Sequence, residues 1–139
     1  MSYDLFLLRL PEGANVEAAL GLFDQLETRT ASALGKHDRH SLANLIMDAD
    51  PRYEIFQKDY EEIGRFEAIT AQEARDRDDS LELNGEADGK PMAQFILYDD
   101  RVVIHLNSGT TELEMSKHLE VLCKKTGYTA VDPQSGSFL

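Results

Sequence analysis

Apolar positions along this chain follow helical spacing in the first half and strand-like runs in the second. The opening run, Leu5-Phe6-Leu7-Leu8-Arg9-Leu10, is short and is stopped by Pro11 and Gly13. That combination predicts a strand buried on both faces rather than a helix. Val16, Ala19, Leu20, Phe23 and Leu26 then recur three and four residues apart. Asn15 stands before them as a good N-cap, and Glu17 lies in the first turn, where the helix dipole favours a carboxylate. The pattern predicts a helix that extends as far as Gly35. A second, shorter helical pattern carries Leu42, Leu45, Ile46 and Ala49.

Asp50-Pro51 reads as an N-cap followed by proline at the first helical position, where the ring presets φ. Tyr53, Phe56, Tyr60 and Ile63 fall on one stripe behind it, with Glu54–Lys58 and Glu61–Arg65 four residues apart on the outer side. These features predict a helix from about Pro51 to Gly64.

Leu81 to Leu83, Ala93 to Tyr98 and Arg101 to Leu106 read as three strands. Asp99-Asp100 lies where a two-residue hairpin turn falls, and Gly85 to Pro91 is expected to be a loop. Thr111-Glu112-Leu113-Glu114 has capping-box spacing and opens a helix with Met115, Leu119, Leu122 and Cys123 on its buried stripe. Lys124, Lys125 and Gly127 close it in the manner the dipole and the C-cap favour. Tyr128 to Val131 is expected to be a last strand, stopped by Asp132-Pro133.

This order predicts an α+β fold in one domain over residues 1–139, an antiparallel or mixed sheet of four to five strands with helices packed on one side. A ferredoxin-like arrangement with a helical insertion after the first helix is one way to wind it.

Composition narrows the function. With 42% hydrophobic and 29% charged residues, the chain has the profile of a folded domain, not a disordered one. Its 26 acids against 14 bases, a formal charge of −12, argue against a non-specific nucleic-acid binder, which needs a basic face. Cys123 is a single cysteine without an internal partner, which suggests a reducing compartment. Asp4 interrupts the N-terminal residues, and no run reaches the roughly 18 apolar residues of a membrane helix. The expectation is a cytoplasmic protein, synthesised in its final form, that binds neither membrane nor nucleic acid.

Metal and nucleophile motifs fall short. His37, Asp38 and His40 approach zinc-ligand spacing without a second ligand pair. Asp76, Asp78 and Ser80 imitate a calcium loop, but its glycine position holds Leu81 and its final glutamate position Ala87. Cys123 lies on a buried stripe, where a cysteine acts as a small hydrophobe. Ser108, in a strand-to-helix loop, lacks the glycine two residues before it that a nucleophile elbow requires. Asn107 to Thr111 resembles an anion-cradling loop without a lysine or spaced glycines. No metal and no cofactor are expected.

Two function classes remain. In one, His105 and His118, with Asn107 and Tyr98, line a common cleft for acid–base chemistry or a small ligand, and in the plainer version the two histidines sit at the edge of the sheet. In the other, charge is the determinant. Residues 48–88 hold 14 acids against 5 bases, a net −9. Such a surface either steers a basic partner or is a solvated face. The residues expected to meet a basic protein are Asp48, Asp50, Glu61, Glu62, Asp76, Asp78 and Asp79.

Tyr3-Asp4-Leu5-Phe6-Leu7, Asp50-Pro51-Arg52-Tyr53-Glu54, Gly127-Tyr128 and Asp132-Pro133-Gln134 resemble an uncharacterised family of small bacterial proteins. In size and charge the chain is also similar to immunity proteins that neutralise secreted bacterial toxins. That similarity implies a non-enzymatic protein-binding module and carries no catalytic residues. Separately, a homodimer whose sheets or helices simply pair, with no further activity, is a third possibility beside a monomer.

Overall fold

The computed structural model describes residues 3–28, 36–107 and 112–138. Its frame is one antiparallel sheet whose order runs β2 (Tyr53–Ile55), β3 (Leu81–Ala87), β5 (Gln94–Leu97), β6 (Val102–Leu106), β1 (Tyr3–Leu8), β7 (Thr129–Asp132) and β8 (Ser137–Phe138), with β4 (Lys90–Pro91) pairing β3 off this path. The α+β class therefore holds. The sheet is longer than four or five strands, and every described pairing in it is antiparallel. The opening apolar run is its centre. Tyr3 lies opposite Leu106 and Leu7 opposite Val102, while Leu8 meets Thr129 on the other side. β1 runs antiparallel to both of its neighbours, β6 and β7.

Period-two alternation sends the side chains of β1 to opposite faces. Leu5 and Leu7 join Phe95, Ile104, Leu83 and Leu97 in the larger core, which α2 (Arg39–Ala49) and α5 (Glu112–Thr126) cover with Leu42, Ile46, Met115 and Leu122. Phe6 and Leu8 face the other way with Val103 and Val131, beneath Phe23 and Leu26 of α1 (Val16–Glu27). The Phe6 and Phe23 rings stack there, 4.0 Å apart. Helices thus cover both faces, not one. The apolar run Leu5–Leu8 within β1 fits this, since successive side chains there point to opposite faces and both must be buried.

The segment after Asp50 is the main departure from the sequence pattern. Instead of a helix from Pro51 to Gly64, the chain makes a turn in which Tyr53 N–H donates to Asp50 O at 3.2 Å, then forms β2. Asp followed by Pro suits the first two positions of a β-turn as well as the start of a helix. The buried Tyr53 ring, packed edge-on to Phe95 at 5.2 Å, favours the strand. Helix resumes only at α3 (Tyr60–Glu67), capped by Asp59, whose carboxylate accepts from Glu62 N. Ala68, left-handed at φ 58°, ends it. Thr70 and Glu73 form a reciprocal capping box that starts α4 (Ala71–Arg77).

Gly85 to Pro91 is also strand rather than loop. Asp88 and Gly89, at φ 54° and 75°, make a two-residue turn between β3 and β4. Both central residues have positive φ, the reason Asp-Gly is favoured in such hairpins. The extension of α1 toward Gly35 and the Thr111 capping position lie outside the described residues.

Candidate binding surface

Three features concern function: the α3–α4 hairpin, a cluster around His118, and the polar residues flanking β5 and β6. The hairpin is an appendage. It lends only Gly64 and Ala74 to the buried residues, and neither belongs to either core. The two helices pack chiefly on each other. A close backbone crossing permits this, since a Cβ at Gly64 would lie 2.7 Å from Ile69 O.

A polar clamp ties the base of the hairpin to the sheet. Lys58 Nζ donates to Asp78 Oδ1 at 2.7 Å, to Ser80 O at 2.9 Å and to Ser80 Oγ at 3.1 Å. Tyr60 Oη donates to the other Asp78 oxygen at 2.6 Å. Burial acts to raise the Asp78 carboxyl, but the bonds from Lys58, Tyr60 and the Ser80 amide prevail and hold it below the usual carboxylate range. The same bond to Asp78, together with burial, pushes the Tyr60 phenol up. Lys58 therefore pairs with Asp78 across the hairpin and not with Glu54 along a helix.

Above the clamp the surface is acidic. Residues 59–79 hold eight carboxylates against Arg65, Arg75 and Arg77. Glu61 and Glu62 are exposed in the first turn of α3, while Asp76 and Asp79 are exposed in and after α4. Phe66 stands among these charges with 92% of its surface in water. Of the remaining acids expected to meet a partner, Asp48 is exposed in the last turn of α2. Asp50 and Asp78 are corrected: both carboxylates are turned inward to structural partners.

Asp50 belongs to the second feature. Its oxygens accept from Arg52 Nε at 2.9 Å and Nη2 at 2.8 Å, and Arg52 Nη2 also reaches Glu114 Oε1 on α5 at 3.1 Å. The bonds from Arg52 hold the Asp50 carboxyl low against its burial. His118 Nε2 lies 3.4 Å from Asp50 Oδ2, with the imidazole edge-on to Tyr53 and Phe95. Only 4% of His118 is exposed, and its Nδ1 is buried without a hydrogen-bond partner among the described residues. Burial depresses this imidazole below its usual value, although Asp50 and Glu114 pull the other way.

The cleft expected around both histidines does not form. His118 faces the larger core, whereas His105 projects from the opposite face of the sheet, paired in register with Asp4 and bonded to its carboxylate at 2.5 Å. Tyr98 follows β5 at the far end of the β5–β6 hairpin, its ring beneath Arg101 at 3.8 Å. Asn107 is exposed, and its amide donates to Met92 O at 2.9 Å. The period-two pattern separates His105 from the core face occupied by Ile104, so a single cleft could not gather all four. Asp38, considered as a metal ligand, caps α2 through Ser41. Among the described residues no group of three potential ligands could hold a metal ion, and no helix is long and apolar enough to cross a membrane. Ser108 to Thr111 lie outside the described residues.

The Lys58–Asp78–Tyr60 clamp and the Asp50–His118 pair are not visible as pairings in the sequence pattern. His118 had a visible signal: it lies three residues after Met115 and four before Leu122, on their stripe. The clamp joins residues about twenty positions apart and left no local trace. No family model matches this chain, and no curated protein or solved structure is detectably similar to it.

Proposed function

We propose that the chain is a non-enzymatic binding module that docks a basic protein through its α3–α4 hairpin. One observation carries this reading: an appendage that contributes almost nothing to the core presents a fully exposed phenylalanine amid a surplus of carboxylates. A large side chain ringed by polar groups is the form an interface hot spot takes, and Phe66 stands so among the hairpin's carboxylates. The surrounding negative field would steer a cationic partner and raise its association rate. An immunity protein covering the basic active site of a secreted toxin is the functional type this chemistry fits. The resemblance to small bacterial proteins and the cytoplasmic setting belong to the same proposal.

The test is affinity isolation from the native host at low and high salt, with the wild-type chain and with a Glu61→Lys/Glu62→Lys/Asp76→Lys variant. A basic protein identified on the wild type, repurified, and released by either salt or charge reversal supports docking. Retention of partners indifferent to both treatments removes it.

A further inference from the structure

Resting on that docking reading, we propose that the hollow between the β2–α3 connection and α4 is the seat for an arginine side chain of the basic partner. The hollow measures about 510 Å3, within the range of sites that enclose a ligand group. Its apolar lining includes Phe56, Ile63 and Ala74, and Phe56 is 49% exposed although no helix continues across it. Glu62, Glu67 and Glu82 line it as well.

Two cations also contribute, Lys58 and Arg77. Lys58 is paired with Asp78, and the remaining lining carboxylates outnumber Arg77, so the field in the hollow stays negative. A hollow lined by both apolar side chains and carboxylates fits a side chain with an aliphatic stem and a cationic head. Arginine satisfies this better than lysine, because its flat guanidinium stacks on an aromatic face and forks onto carboxylates. A neutral or anionic segment would leave the carboxylates desolvated without a partner. The seat adds to the exposed Phe66 a second anchor, one that reads side-chain identity rather than charge alone.

The experiment is an NMR titration of the 15N-labelled chain with acetyl-Gly-Arg-Gly-amide, with the citrulline and lysine peptides as controls. Arginine should shift amides of residues 56–63 and 74–82 in a saturable manner, in the millimolar range. Citrulline should leave them in place, and lysine should bind at least threefold more weakly. In Phe56→Ala/Glu62→Gln the dissociation constant should rise at least tenfold while the remaining spectrum stays that of the folded chain. Glu62→Gln alone, at an exposed position, serves if the double variant does not fold. Shifts spread over the whole acidic surface, equal shifts with citrulline, or an unchanged variant would overturn the seat. Wild-type retention of a salt-sensitive basic partner by Phe56→Ala/Glu62→Gln would overturn the seat and leave docking standing. Arginine binding in the hollow with no basic partner retained would overturn docking itself.

Discussion

Lys58 Nζ sits 2.7 Å from the Asp78 carboxylate, joining the connection ahead of α3 to the residue that caps the end of α4. Both side chains are largely shielded from water, at 13% and 18% exposure, so this pair differs from an ordinary surface ion pair. It closes the hairpin at its base, where the core gives little help.

Removing one partner tests this. Lys58→Met keeps the aliphatic stem and strands the Asp78 charge with Tyr60 as its chief remaining partner. A cost of about 2 kcal/mol is expected, the usual range for hydrogen bonds to charged groups. Hydrogen exchange locates the effect: α3 and α4 amides should lose protection while those of β1, β5 and β6 keep theirs. Uniform loss across the sheet would show that the clamp supports the whole fold instead.

Gly64 gives an independent measure of the same hairpin. A Cβ there would stand 2.7 Å from Ile69 O and 3.1 Å from Thr70 C, backbone atoms that cannot swing aside. Gly64→Ala should therefore destabilise by about 1–3 kcal/mol in urea unfolding, the range for overpacking. Gly21, inside α1 with nothing within 4 Å of its Cβ position, is the control. There alanine should stabilise by up to about 1 kcal/mol, through helix propensity and a less flexible unfolded chain.

What the sequence disclosed follows the range of the forces involved. α1, α2, β1, β5 and β6 were legible because their apolar periodicity and the caps Asn15 and Asp38 act within a few residues. Asp50-Pro51 is ambiguous in sequence because the same dipeptide serves a helix start and a β-turn. Tyr53 packing on Phe95, forty-two positions away, decides between them. Asp88-Gly89 was an overlooked local signal, since Asp-Gly specifies a hairpin turn by itself. The acidic segment was visible as composition, yet which acids face water was not. Asp50 and Asp78 turn inward only because Arg52, His118, Lys58 and Tyr60 are brought to them.

His118 makes stability depend on pH with a defined sign. Burial lowers its folded pKa below the ordinary value of about 6.5, so the unfolded chain binds the proton more readily. The stabilisation is complete above that value and is lost as pH falls toward the folded pKa. Asp50 and Asp78, whose carboxyls are held below the usual range, contribute a separate loss at lower pH, below about 4. Urea midpoints of the wild type should therefore drop as pH falls below about 6.5, and again below about 4. His118→Phe, which retains ring packing against Tyr53 and Phe95, should flatten the first drop and keep the second. An unchanged first drop would assign it to another group.

Phe66 separates binding from folding most cleanly. With 92% of its surface exposed, Phe66→Ser should alter stability by no more than about 0.5 kcal/mol, as surface substitutions do. If the ring anchors a partner, the same change should weaken the complex by about 2 kcal/mol, roughly thirtyfold, and chiefly by speeding dissociation. Charge reversal at Glu61, Glu62 and Asp76 should instead slow association, most strongly at low salt, because exposed charges steer the encounter. Surface plasmon resonance on the repurified partner distinguishes the two. The docking reading needs both signatures, dissociation for the aromatic and association for the carboxylates. A Phe66→Ser complex with wild-type lifetime would place the contact elsewhere on the acidic surface.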